Sequence, residues 1–195
     1  MHALEAHQLS LKIYLEDGSK LDLDSVIPVF HRWISEKILD EMIVDVADYQ
    51  HIKEGPALLL AGIDANYYLD TTDGALGMMY TRKRKGPATF SEGLRDAFKR
   101  VLGACLLLEN ESSFESAPRF QVRVIRFQIH NRLLAPNDEM TYATVVPELD
   151  EILLELFPES TLNISYQKNP QELFEVFLVV EDGPEERVET LLNRL

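Results

Sequence analysis

Leu9, Leu11, Ile13 and Leu15 alternate with other positions before Glu16-Asp17-Gly18-Ser19 turns the chain, so the pattern opens with a predicted strand. From Ser25 to about Leu39 the period lengthens, with Ile27, Phe30, Ile34 and Ile38 at three- and four-residue spacing. That spacing predicts an amphipathic helix, with Pro28 placed near its start, where an N–H has no intrahelical acceptor to lose. Met42 to Ala47 and Pro56 to Ile63 read as two short buried strands, both expected in the centre of a sheet. Ala65 to Leu69 and Ala75 to Thr81 flank Asp70-Thr71-Thr72-Asp73-Gly74 and predict a β-hairpin, with Met78, Met79 and Tyr80 as exposed contact residues.

Thr89 to Glu109 is the strongest helical segment. Thr89 and Glu92 have capping-box spacing, and Phe90, Leu94, Phe98, Val101, Leu102, Cys105 and Leu106 form one apolar face. A polar loop follows from Asn110 to Pro118, and Phe120 to Ile129 returns to strand composition. Its alternation slips near Val124 and Ile125, which predicts a bulge or a strand covered on both faces. The last third reads as a helix from about Thr144 to Phe157, strands over Leu162 to Gln167 and Glu172 to Val180, and a short helix from Pro184.

The two halves, 1–110 and 111–195, share the order strand, helix, strand, strand, helix, with a hairpin added to the first. Ser25-Val26-Ile27-Pro28 also aligns with Thr144-Val145-Val146-Pro147. Two βαββα units joined in one globular body are therefore expected. Short connections favour antiparallel neighbours, so the fold class is α+β, a mainly antiparallel sheet with helices on one face.

The chain has 195 residues, 46% of them hydrophobic and 27% charged, the composition of a globular protein. Its 19 basic and 33 acidic residues leave a net charge of −14, a field that opposes nucleic acid and anionic lipid surfaces. The first fifteen residues lack an apolar signal core, and no apolar run reaches the roughly 18 residues a membrane span needs. A cytoplasmic location and no nucleic-acid or membrane partner are the expectations. The single Cys105 excludes an internal disulfide.

Four groups could carry chemistry. Asp45, Asp48 and His51 stand three apart, a ligand spacing on a helix but one that alternates faces on a strand. Asp64, Asn66, Asp70 and Asp73 fail the calcium-loop pattern, because the position for the closing Glu holds Ala75. Arg82-Lys83-Arg84-Lys85 is the one concentrated run of positive charge, set before a capped helix start, and is the candidate anion-binding element. His130-Asn131-Arg132 closes the long strand, and with Asp48 and His51 it forms the candidate polar site: His for proton transfer, Arg for a carboxylate or phosphate. No nucleotide-loop or serine-elbow motif occurs, and neither a metal nor a cofactor is expected. The leading expectation is a non-catalytic protein-association module, a homo-oligomer or one half of a protein complex. The alternative is an enzyme or small-anion binder that uses His130 and Arg132.

Overall fold

The computed structural model describes residues 8–53, 55–84, 86 and 89–195. Its elements are β1 (Leu9–Leu15), α1 (Leu23–Glu36), β2 (Ile43–Asp48), β3 (Leu58–Gly62), β4 (Ala65–Asp70), β5 (Gly77–Arg82), α2 (Phe90–Glu109), β6 (Phe120–Ile129), α3 (Glu139–Leu156), β7 (Thr161–Tyr166), β8 (Phe174–Asp182) and α4 (Val188–Arg194). The strands form one sheet in the order β2-β3-β4-β5-β1-β6-β8-β7, and every neighbouring pair is antiparallel.

The helices cover one face. Helix α1 lies against β2 and β3, α2 against β5 and β1, and α4 against β6, while α2 also touches α3 and α4. The core forms between these layers. Leu9, Leu11 and Ile13 of β1 meet Tyr80 and Met78 of β5 and Phe127 and Ile125 of β6, with Leu94, Phe98, Val101 and Leu102 of α2 also buried in the core. Strict alternation therefore sends Ser10, Lys12 and Tyr14 to the helix-free face.

β1 and β6 pair at the middle of the sheet, and the halves repeat outward from them. Beyond β1 lie β5 and β4, and beyond β6 lie β8 and β7. Helix α2 follows β5 as α4 follows β8, while β2 and β3 extend the first half only. The repeat is topological. The aligned prolines are not first-turn residues: α1 starts after the N-cap Asp22, so Pro28 is its sixth residue, and α3 starts after Asp138, so Pro147 is its ninth. Asp138 Oδ1 accepts from Thr141 N at 2.9 Å, which starts α3 five residues before the expected Thr144.

The capping box of α2 is formed as the sequence predicts: Glu92 N donates to Thr89 Oγ1 and Thr89 N donates to Glu92 Oε2, both at 3.1 Å. The slip in β6 is a bulge. Ile13 pairs with Ile125 but Leu15 with Phe120, and Gln121 Oε1 accepts from Arg123 N and Val124 N inside the extra length. Two expectations about the strands are corrected. β2 is an edge strand and β3 its neighbour, because order in a sheet is set by pairing between distant segments. Met78 and Tyr80 are core residues, and only Met79 reaches the helix-free face. The last helix starts at Val188, four residues after Pro184.

Candidate functional site

The helix-free face holds a buried ionic network across four strands. Lys12 Nζ donates to Asp70 Oδ2 at 2.7 Å, to Asp73 Oδ1 at 2.5 Å and to the Ala75 carbonyl at 2.7 Å, and its side chain is 1% exposed. Lys12 is on β1 and Asp70 on β4, so their contact passes over β5. It can do so because β5 presents Gly77 at that point: a Cβ there would lie 2.6 Å from the Ile13 carbonyl oxygen and 2.8 Å from Lys12 Cε. Thr72 Oγ1 donates to Asp70, and Tyr14 OH donates to Asp73 Oδ2. Burial opposes charge on Asp73, yet the hydrogen bonds from Lys12 and Tyr14 hold its carboxyl below the usual range.

Arg126 of β6 carries the network outward, with Nη1 3.2 Å from Asp73 Oδ2 and Nε 2.5 Å from Glu175 Oε2 of β8. Gln128 Nε2 also donates to Glu175. On the same face Ser10 Oγ lies 2.5 Å from His130 Nε2 and 2.7 Å from Thr81 Oγ1. Burial, and then the positive charge of Arg126, pushes the His130 pKa down, so the ring is held neutral.

His130 and Arg132 thus lie at one end of this network, but in different roles. Arg132 Nη2 donates to the Pro170 carbonyl and borders a cavity of about 540 Å3 shared with Thr72, Asp73, Arg126, Gln128 and Glu175. Asn131 Oδ1 accepts from the N–H groups of Leu133 and Leu134 and shapes the turn after β6. Asp48 and His51 are not brought to this place. They sit at the end of edge strand β2, with four strands between it and β6, and Asp48 Oδ1 caps Gln50 N. At about 4.8 Å per strand, that separates the two pairs by roughly 24 Å.

The basic run is mostly engaged by the protein itself. Arg82 is 4% exposed, donates to the Gly93 carbonyl at 2.9 Å and pairs with Asp96. Lys83 Nζ donates to the Gly62 carbonyl, and Arg84 is exposed at 3.9 Å from Asp64. Lys85 lies outside the described residues. The thiol of Cys105 is fully buried, and burial pushes its pKa well up. Among the described residues, no three His, Cys, Asp or Glu side chains are grouped to hold a metal ion, and no helix is long and apolar enough to cross a membrane.

What the sequence reading missed is the surface at the two ends of the sheet. Among the described residues, the exposed large hydrophobic side chains fall into two groups. Ile38, Met42, Val44 and Ile52 surround β2, with Met42 70% exposed. Leu133, Leu134, Met140 and Leu154 lie on α3 and the connection before it, and α3 reaches the other edge strand through Tyr142, 4.6 Å from Tyr166 of β7.

The two edge strands differ in protection. β2 carries a bulge between Ile43 and Asp45. Tyr49 N donates to the Ala57 carbonyl, so by alternation Val46 N–H points to the free edge, where Asp45 Oδ1 accepts it at 2.9 Å. β7 reads Thr-Leu-Asn-Ile-Ser-Tyr, with no charge and no proline.

No protein-family model matches this chain, and no curated protein matches it.

Proposed function

We propose that this chain is a self-associating protein module, a homo-oligomer whose contacts lie at the ends of its sheet. The observation that carries the reading is the gathering of the exposed large apolar residues at those two ends, in a chain of net charge −14. Apolar surface so placed is a contact surface, since scattered single residues need no explanation but groups beside unpaired strand edges do. The polar candidates support the same reading from the other side. Lys12, Asp70, Arg82 and His130 spend their hydrogen-bonding capacity on the protein itself and brace the sheet that carries the two ends. A cytoplasmic setting suits a chain whose one thiol is buried and unpaired.

Sedimentation equilibrium over low- to high-micromolar protein tests this. The expected result is a mass that rises above the 22.3 kDa of one chain. A mass fixed at one chain throughout would refute it.

A second reading has one specific observation behind it, the cavity of about 540 Å3 bordered by both Arg126 and Arg132. Asp73 and Glu175 line it too, so it suits a small ligand that carries charges of both signs rather than a simple anion. Calorimetry with free amino acids, repeated on R132A, checks it: heat of binding lost in the variant supports a ligand site, and no heat in either protein dismisses one of that class.

A further inference from the structure

β7 ends the sheet, and among the described residues nothing pairs with its outer side. An unpaired strand edge is a template for another strand, and proteins ordinarily block it with charge, proline or a bulge. β2 is blocked in this way and β7 is not, apart from an irregularity at its first residue. Met140, exposed on the first turn of α3, lies two residues before the Tyr142 that packs on Tyr166 of β7.

We propose that β7 pairs antiparallel with β7 of a second copy, joining two eight-stranded sheets into one. This rests on the self-association reading above and names its surface. The charge pattern selects a second copy as the occupant. The strand is flanked by exposed Glu159 before it and exposed Lys168 after it, with no charge between. Antiparallel self-pairing brings Lys168 of each copy beside Glu159 of the other at both ends of the joint, whereas a parallel arrangement sets like charges together. Elsewhere the net charge of −14 opposes approach of a second copy, and an uncharged strand with complementary ends is where that opposition is least.

The side-chain pattern also fixes the register. With the two-fold axis at Ile164, Leu162 faces Tyr166 of the second copy and Asn163 faces its Ser165. Leu162, Ile164 and Tyr166 then stay together on the helix side, and the polar residues stay together on the open side. A slip by one residue would mix the two sets. The joint gains backbone hydrogen bonds that neither copy can make alone.

The test uses the full chain and four variants, read by sedimentation equilibrium. N163K/S165K places like charges face to face across the joint at positions exposed in a single copy, and is expected to weaken the dimer by at least about a hundredfold. E159K should weaken it by about tenfold, and E159K/K168E should restore it. M42D, at the other end of the sheet, removes any contact made there but should leave the β7 joint, and so a dimer, in place. A dimer that survives N163K/S165K but is lost in M42D would overturn the β7 joint while leaving self-association standing. A wild-type chain that stays monomeric removes both. Circular dichroism of each variant confirms that the single copy remains folded.

Discussion

Lys12 Nζ stands 2.7 Å from Asp70 Oδ2, with neither side chain open to solvent, and the contact crosses an intervening strand. A buried pair of this kind recovers its desolvation cost only when all its groups are bonded. Here they are, through Asp73, Thr72 and the Ala75 carbonyl. K12M leaves the buried Asp70 without its cation and Asp73 with Arg126 alone, and should cost about 3–5 kcal/mol, read by urea denaturation. K12M/D70N should cost less than the two single changes added together, and strict additivity would show that the pair is not coupled.

Gly77 makes that crossing possible, so its replacement should be felt although the residue bears no side chain. G77A puts a methyl group against the Ile13 carbonyl and the Lys12 stem, and a loss of about 1–3 kcal/mol is expected. Unchanged stability would mean that β5 can give way at this point.

His130 links stability to pH. Its folded pKa is lowered, by burial first and by Arg126 second, so the unfolded chain binds the proton more readily than the folded one. Stability should therefore be full above the unfolded value of 6.5 and fall as pH drops below it, until the folded ring also titrates. Denaturation at about pH 7.5 and about pH 5.5 should show this loss, and H130Q should reduce it. A slope that is the same in H130Q would place the linkage elsewhere.

These residues show what the linear pattern can and cannot convey. The capping box at Thr89, the hairpin around Asp70 to Gly74 and the bulge in β6 all depend on neighbours in the chain, and each was legible. The edge position of β2 was not, since Met42 to Ala47 has the apolar content of an interior strand and only the pairing of distant segments leaves it outermost. Lys12 looked like an ordinary polar position on an alternating strand. Nothing within ten residues reveals that Asp70 and Asp73 arrive above it or that Gly77 opens the way. His130 is legible as a strand-end histidine, but its partner, Ser10, comes from the far end of the sequence.

The run from Arg82 to Arg84 divides by burial. R82Q removes the bond to the Gly93 carbonyl and leaves Asp96 with Arg100 alone as its cation, and should cost about 2–4 kcal/mol. R84S touches only an exposed pair at 3.9 Å and should change stability by less than about 0.5 kcal/mol. Equal effects in thermal or urea denaturation would contradict this division.

Self-association through the free edge of β7 is tested most directly by amide hydrogen exchange of the full chain against N163K/S165K at high-micromolar protein. The account predicts that amides between Leu162 and Tyr166 exchange at least about tenfold more slowly in the wild type, because half of them gain acceptors from the second copy, while the rest of the sheet is unchanged. Identical exchange along β7 in the two proteins would contradict it.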